Sequence, residues 1–292
     1  MNRAAIADIL VRARMKGYAL GSFSPRNTYL IHWVLLAAQK KRSPVIVQIS
    51  SNELRWFGLS PAVFAEAFFR ETKDIGIPAI LHLDHTYDFA VLREAVQAGF
   101  QSVMYDGSKL PFDENVARTR EIAEYAHSQD VFLEAELGSI GGADKLETGG
   151  DEAHYTDPVQ AEEFVQKTGC DSLAVSIGTA HGVYSVLNPK IDFERLEKIS
   201  KQVQVPLVLH GGSGLPVETV NRAIQLKGSG GISKLNIATD LELTFQKVLG
   251  IGRIKDHEIC ELDPAQLLAA GKEVQTLCED RMERYLLSIG KA

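Results

Sequence analysis

The sequence has few cysteines, and their placement excludes two classes of small protein. Only three occur in 292 residues, at Cys170, Cys260 and Cys278. An odd number with such wide spacing argues against a disulfide framework and against a thiolate metal site. The pattern predicts reduced thiols with structural or surface roles.

Long apolar runs and basic clusters are also missing. No segment approaches the roughly 18 apolar residues of a membrane-spanning helix. The N-terminal segment MNRAAIADILVRARMKG alternates apolar and charged residues at helical spacing, unlike a signal peptide. The net charge of −7 is spread along the chain, which argues against nucleic acid or a membrane surface as partner. We expect a cytoplasmic protein that acts on small molecules.

Eight short apolar segments alternate with amphipathic ones, which is typical of βα units around a parallel sheet. The predicted strands are 18–23, 45–49, 79–83, 101–105, 131–137, 172–177, 207–210 and 232–237. The predicted helices between them are 28–41, 61–74, 89–98, 113–129, 158–168, 192–202 and 216–227. The fold class is therefore α/β, a (β/α)8 TIM barrel in a single domain over residues 1–292. The alternative is an open doubly wound sheet, but that usually has a Gly-rich first turn, and the first turn here is GSFSPRN.

Three segments exceed a minimal barrel. The N-terminal segment predicts an additional helix. Residues 138–155 are rich in glycine and charge, which predicts a mobile active-site loop, with a disordered surface loop as the alternative. Residues 263–287 carry an apolar stripe that predicts an extra C-terminal helix packed on the barrel or on a neighbouring subunit. The stripe consists of Leu267, Leu268, Val274, Leu277, Met282 and Leu286.

Histidine and carboxylate side chains gather at the ends of the predicted strands, where barrel enzymes carry their chemistry. A single histidine at a strand end is more often a hydrogen-bonded structural residue than a metal ligand. Five such strand ends are hard to explain as packing, because each buried charge needs a partner. The residues concerned are His82, Asp84, His85, Asp106, Glu134, Glu136, His181 and His210.

Three histidines with an open fourth position describe a catalytic zinc site. We predict His85, His181 and His210 as the ligands. His82 is less favoured because it lies inside its strand, and His154 because it lies in the predicted loop.

Two loops have the composition of anion-binding backbone. HGGSGLP, residues 210–216, places small residues before a helix, so its N–H groups and the Ser213 hydroxyl can face a phosphate. KLNIATD, residues 234–240, repeats the arrangement after the last predicted strand. Either loop alone could be a tight turn. Together they predict a phosphorylated substrate, because these are the usual phosphate loops of such barrels.

These residues, in this order, resemble the class II, zinc-dependent ketose-bisphosphate aldolases of the fructose-bisphosphate and tagatose-bisphosphate type. The resemblance covers nearly the whole chain. Its motifs are SPVIVQIS (43–50), LHLDH (81–85), AGFQSVMYDGSKLPFDEN (98–115), LEAELGSIGG (133–142), DSLAVSIGTAHGVYS (171–185), LVLHGGSGLP (207–216) and SKLNIATDLE (233–242).

The resemblance implies a role for each matching residue. Asp84 corresponds to the catalytic acid/base, and the three histidines to the ligands of one catalytic Zn²⁺. Asp106 and Glu136 match positions that contact a second or displaced metal, and Glu134 a carboxylate that orients a ligand histidine. A monovalent cation, Na⁺ or K⁺, is implied near the GTAHG and HGGSG loops. The binding site for dihydroxyacetone phosphate is implied at Gly182, Gly211, Gly212, Ser213, Asn236, Ala238 and Thr239.

The implied reaction is the reversible cleavage of a phosphorylated ketose, as in glycolysis and related carbohydrate metabolism. Asp84 would remove the C4 hydroxyl proton, giving an aldehyde and a zinc-stabilised enediolate of dihydroxyacetone phosphate. Relatives of this type are homodimers or homotetramers.

The sequence departs from the family on the aldehyde side. Ser24 stands where the family usually has Asn, Thr86 where it usually has Gly, and GGADKLE replaces an acidic GGEED-type loop. Asp144 or Glu147 is a candidate for the missing loop carboxylate, and Ser24, Ser50 and Asp144 are the predicted aldehyde-side residues. The alternatives left open are cleavage to glyceraldehyde 3-phosphate, a ketose of the other configuration at C4, or another anionic three-carbon aldehyde.

Two other functions are compatible with the sequence. Lys234 lies on a predicted strand and could form a Schiff base, although a lysine paired with phosphate or a carboxylate is the simpler interpretation. A non-catalytic barrel subunit that binds a phosphorylated sugar is the other, against which the retention of Asp84 beside three histidines argues.

Overall fold

Eight parallel strands form a closed barrel in the order in which they occur in the chain. The computed structural model describes residues 1–138, 154–182, 184, 189–226, 228 and 230–292. The predicted barrel is confirmed, and the open sheet is wrong. The strands are β1 (Leu20–Phe23), β2 (Val45–Ser50), β3 (Ala79–Thr86), β4 (Ser102–Tyr105), β5 (Phe132–Leu137), β6 (Ser172–Val175), β7 (Leu207–Leu209) and β8 (Ile232–Ile237).

Helices surround the barrel, and they begin where the sequence offers capping residues. Asn27 accepts a hydrogen bond from the Leu30 N–H at the start of the second helix. An Asp-Pro pair begins the seventh and the eleventh. The helices are α1 (Arg3–Lys16), α2 (Thr28–Lys41), α3 (Ser51–Phe57), α4 (Pro61–Glu71), α5 (Phe89–Gln97), α6 (Phe112–Ser128), α7 (Pro158–Thr168), α8 (Phe193–Gln202), α9 (Val217–Ile224), α10 (Thr239–Leu249) and α11 (Pro264–Asp280).

The N-terminal helix α1 closes one end of the barrel. Its buried face, which includes Ile6 and Leu10, packs against the barrel residues Ile46, Ile80 and Phe132. Ile46 and Ile80 lie near the beginnings of their strands. The end of the barrel with the strand C-termini is therefore left for a site, as the sequence predicts.

The C-terminal helix α11 packs against α2 and α10, and a π-helix, Arg281–Tyr285, follows it. The prediction that this segment packs on the barrel is confirmed. Val274, Met282 and Leu286 are buried, whereas Leu268 is 44 % exposed. Including Leu268 in the buried stripe was wrong, because residues 267 and 268 point in directions about 100° apart on a helix of 3.6 residues per turn.

No helix in the described part of the chain combines the length and the hydropathy needed to cross a bilayer.

Candidate active site

A cleft of about 890 Å³ opens at the C-terminal end of the barrel. It reaches down to the polar residues at the strand ends. Among its lining residues are Asp84, His85, Asp106, Glu136 and His181. The structure therefore brings together side chains that the sequence places up to about a hundred positions apart.

The three predicted zinc ligands form one cluster. Nε2 of His85 lies 3.1 Å from Nε2 of His181 and 2.8 Å from Nδ1 of His210. Each histidine offers one ring nitrogen to a group whose nitrogens all lie within 4.8 Å of one another. A tetrahedral zinc ion with Zn–N distances of about 2.0–2.1 Å spaces its ligand nitrogens at about 3.3 Å. The donor set and its spacing fit such an ion.

An unusual backbone conformation directs His85 into this cluster. Its φ angle of 33° lies in the left-handed region, which residues other than glycine seldom adopt. The pairing of β3 with β4 shifts register between Leu83 and Thr86, around the same residue. A bulge of this kind redirects a side chain next to an active site. Beyond the bulge, pairing resumes between Thr86 and Tyr105, so β3 extends to Thr86, three residues beyond its predicted end.

Carboxylates flank the outer side of the His85 imidazole. Nδ1 of His85 lies 3.0 Å from Asp106 and 3.8 Å from Glu136, so its N–H can donate to Asp106 while Nε2 faces the other histidines. Burial lowers the pKa of His85, but the negative charges of Asp84 and Asp106 outweigh it and raise the pKa to about 10.

Glu136 is the least satisfied acid of the site. Burial, and then the charge of nearby Asp106, raise the pKa of Glu136 well above its usual value. Its Oε2 atom is buried and has no hydrogen-bond partner among the residues that the structure describes. Together with His85 and Asp106 it forms a second group of possible metal ligands. This geometry supports the predicted second or displaced metal position.

Glu134 holds His210 from the opposite side. Its Oε1 lies 3.0 Å from Nε2 of His210, which leaves Nδ1 to face His85. Burial raises the pKa of Glu134, but the charge of Lys234 and the hydrogen bond to His210 outweigh it and lower the pKa to about 2. An ionised carboxylate behind a metal-binding histidine fixes the histidine tautomer. The contact fits the orienting role predicted for Glu134.

Asp84 lies between two amide side chains. Nε2 of Gln48 and Nδ2 of Asn236 each donate a 3.0 Å hydrogen bond to one of its oxygens. Burial raises the pKa of Asp84, yet the positive charge on nearby His85 outweighs it and holds the pKa well below its usual value. Asp84 is thus an ionised carboxylate held in one orientation in the cleft.

Asn236 was predicted to bind dihydroxyacetone phosphate, and the structure also gives it this contact with Asp84. Gln48 was not singled out from the sequence. A polar residue inside the buried, otherwise apolar run VIVQI was the signal that could have identified it.

The loops after β7 and β8, which were predicted to bind phosphate, meet at the Ser213 hydroxyl. The Ser213 hydroxyl accepts hydrogen bonds from the N–H groups of Ala238 and Asp240, so its own proton remains to donate. Thr239 begins α10, whose N-terminus favours an anion. Cleft-lining residues from this set are Gly182, Gly211, Ser213, Asn236, Ala238 and Thr239.

The two glycines of this loop differ. Gly211 has a φ of 68°, and a Cβ atom there would collide with the carbonyl of Ala180, next to His181. Gly212 does not line the cleft, and its N–H donates to the Asn236 carbonyl at 2.9 Å. Its N–H is therefore already used within the protein.

A network of charged side chains lines the outer part of the cleft. Glu53 accepts hydrogen bonds from the Ser24 hydroxyl at 2.9 Å and from Nε of Arg26 at 2.8 Å. Arg26 also pairs with Glu242, which in turn pairs with Arg253 at 2.7 Å. Sequence reasoning missed this network, because its members come from four separate segments.

The predicted aldehyde-side residues are distributed unequally. Ser50 lines the cleft and caps α3, whereas Ser24 is fully buried behind Glu53. Asp144 and Glu147, with most of the predicted loop, lie outside the described residues.

Lys234 and His82 lie deeper in the barrel than the cleft. Lys234 is 1 % exposed, is not among the cleft-lining residues, and pairs with Glu134 at 2.8 Å. A Schiff-base nucleophile must reach the substrate carbonyl. The structure therefore favours the interpretation of Lys234 as a lysine paired with a carboxylate. Among the described residues Cys170 and Cys278 are buried free thiols and Cys260 is an exposed one.

Comparison with known proteins agrees with this geometry. The family model for fructose-bisphosphate aldolase class II matches residues 4–291. The chain is similar, at 37 % identity over 100 % of its length and 99 % of the relative, to a fructose-bisphosphate aldolase of Geobacillus stearothermophilus.

Solved structures agree as well. The YdjI aldolase of Escherichia coli K12 superimposes with a TM-score of 0.83 at 32 % identity, covering 98 % of each chain. A fructose-bisphosphate aldolase of Campylobacter jejuni superimposes with a TM-score of 0.82 at 25 % identity, covering 100 % of this chain and 97 % of that one. The chain belongs to the class II fructose-bisphosphate aldolase family and is therefore an aldolase, a lyase of a typically zinc-dependent kind.

Proposed function

We propose that this aldolase reversibly cleaves a phosphorylated ketose into dihydroxyacetone phosphate and a three-carbon anionic aldehyde, with one zinc ion at His85, His181 and His210. The observation that carries the proposal is the cluster of three imidazoles beside the ionised carboxylate of Asp84. A metal Lewis acid and a carboxylate base in one cleft are what aldol cleavage requires.

Asp84 is the base in the cleavage direction. Its carboxylate accepts the proton of the C4 hydroxyl, the C3–C4 bond breaks, and the bonding electrons remain on the three-carbon phosphate fragment. Gln48 and Asn236 keep the carboxylate oriented for this transfer. Zinc, when bound, supplies the positive charge that stabilises the negative charge of that fragment. The zinc-stabilised enediolate stays a prediction.

The phosphate of dihydroxyacetone phosphate is assigned to the loops after β7 and β8. The free proton of the Ser213 hydroxyl and the N-terminus of α10 support this assignment. A monovalent cation near the GTAHG and HGGSG loops stays a prediction, as do a homodimer or homotetramer and a cytoplasmic location.

The anionic character of the aldehyde is supported by the outer cleft. Arg26, Lys109 and Arg253 line this region and can attract an anion. Because Arg26 and Arg253 pair with Glu53 and Glu242, an anionic group would have to share these guanidinium groups.

The test is a panel of aldehydes condensed with dihydroxyacetone phosphate, with and without a chelator. Glyceraldehyde 3-phosphate, other anionic three-carbon aldehydes and neutral aldehydes of equal length form the panel. We expect anionic aldehydes to give the higher kcat/KM, and the chelator to abolish turnover until zinc is restored. Preference for neutral aldehydes would contradict the anionic acceptor.

Two further outcomes would replace the proposed mechanism. Turnover that survives the chelator and is lost on borohydride treatment with substrate would indicate a Schiff base. A zinc-loaded chain that binds sugar phosphate without turnover would indicate the non-catalytic subunit.

A further inference from the structure

Lys234 crosses the interior of the barrel. It starts on β8, whose neighbours are β7 and β1, and its ammonium group contacts residues of β3 and β5. With 1 % of its surface exposed, it is a cation removed almost completely from water. A buried lysine on this scale is costly unless it is paired and hydrogen-bonded.

All three ammonium donors of Lys234 have an acceptor. Nζ lies 3.0 and 2.8 Å from the two carboxylate oxygens of Glu134, and 3.1 Å from Nε2 of His82. Because an ammonium group can only donate, Nε2 of His82 accepts, and its Nδ1–H donates to the Ser102 hydroxyl at 2.7 Å. His82 and Ser102 thereby anchor the ammonium group against Glu134.

The same ammonium group fixes the position of the Glu134 carboxylate. Two N–H groups of Lys234 donate to its oxygens, and its third contact is the Nε2–H of His210. Because Glu134 accepts at Nε2, neutral His210 must carry its proton on Nε2. The lone pair of Nδ1 then faces His85 and His181.

We propose that Lys234 is a positioning residue that acts through Glu134 to keep Nδ1 of His210 available to the metal. It does not touch substrate or metal. The inference rests on the proposed zinc site. It gives Lys234 a role in supporting that site instead of the Schiff base of the alternative mechanism.

The test measures zinc affinity by competition with a chromophoric chelator, so that turnover is not needed. Lys234→Met removes the ammonium group with little change of volume. We expect it to weaken zinc binding by about 10- to 100-fold, the usual effect of removing a partner of a metal ligand. The matched control is Arg3→Met, which removes the cation paired with Asp171 at 2.7 Å, away from the cleft, and should leave zinc affinity unchanged.

A double variant tests whether Lys234 acts on His210 through Glu134. Glu134→Gln should weaken zinc binding similarly, and the combination Lys234→Met with Glu134→Gln should match Glu134→Gln within about twofold, because both changes break one pathway. The combination contains no unpaired buried charge, so this comparison also stands if Lys234→Met alone does not fold. Unchanged affinity in Lys234→Met, or a combination more than about tenfold weaker than Glu134→Gln, would overturn the inference.

A spectroscopic measurement separates positioning from simple loss of structure. In NMR spectra of the metal-free protein with ¹⁵N-labelled histidine, His210 should carry its proton at Nε2. Lys234→Met should give a mixture of His210 tautomers, while its circular dichroism spectrum stays that of the folded protein. If the unaltered protein binds zinc and Lys234→Met binds it equally well, this inference is contradicted and the proposed function is not. Failure of the unaltered protein to bind zinc would instead sink the proposed function.

Discussion

His85 combines the strained backbone and the central position of the site. Its left-handed conformation costs free energy that a residue selected only for packing would avoid, and such outliers gather at functional sites. The cost gives the ring two directed contacts, Nδ1 to Asp106 and Nε2 to the other histidines. At this position the conformation and the chemistry have one explanation.

Asp84→Asn tests the proposed base while preserving shape. The amide cannot accept the C4 hydroxyl proton, so kcat/KM should fall by about 10²- to 10⁴-fold, while zinc affinity stays within a few-fold of the unaltered protein. Steady-state cleavage kinetics and the chelator competition measure the two quantities. A variant that retains more than about a tenth of the activity would exclude Asp84 as the base.

The grouping of the proposed metal ligands was predictable from the sequence, and the contacts that support them were not. Strand ends of a closed barrel must converge, so His85, His181 and His210 could be grouped from sequence alone. Which side chains meet inside the barrel depends on strand register and side-chain length. The contact of Lys234 with His82, 152 positions away, has no local pattern that would reveal it.

The connections between elements contribute as much to the site as the strands do. Sequence periodicity predicted α2 and α7 with their observed bounds, because clear capping residues begin both. It missed α3, a seven-residue helix too short for a periodic pattern. That helix carries Glu53 into the outer cleft, so the omission also hid the charged network there.

Gly211→Ala tests how closely the loop after β7 must approach the loop that carries His181. The new methyl group would strain a φ of 68° and collide with the Ala180 carbonyl, so both stability and zinc affinity should fall. Urea unfolding and chelator competition measure these effects.

Gly169→Ala is the control for this substitution. Its φ is 70°, but no atom of the described part of the chain lies within 4 Å of the added Cβ. It should cost about 1 kcal/mol of stability from the backbone alone, with zinc affinity unchanged. If Gly211→Ala behaves in the same way, the close approach of the two loops is unimportant.

On the scale of the whole molecule, thiol reactivity reports how tightly the segments outside the strands pack around the barrel. Burial raises the pKa of Cys170 to about 12 and also raises that of Cys278, so thiolate is scarce at both, whereas Cys260 is exposed. A thiol reagent should therefore modify one cysteine quickly in the folded protein and all three in urea. Rapid reaction of more than one cysteine in the folded state would show that this packing opens readily.

The Lys234–Glu134 pair also has a consequence for protein engineering. Eight-stranded barrels invite recombination of half-barrels, since the first four strands and the last four can be exchanged as blocks. In this molecule the lysine and the glutamate belong to the second block, but His82 and Ser102 belong to the first. A chimera whose first block lacks the equivalents of His82 and Ser102 would leave the Lys234 ammonium group without one of its acceptors in the buried interior. Hybrids should therefore fold when the protein that supplies the first half-barrel has the same histidine and serine at these two positions.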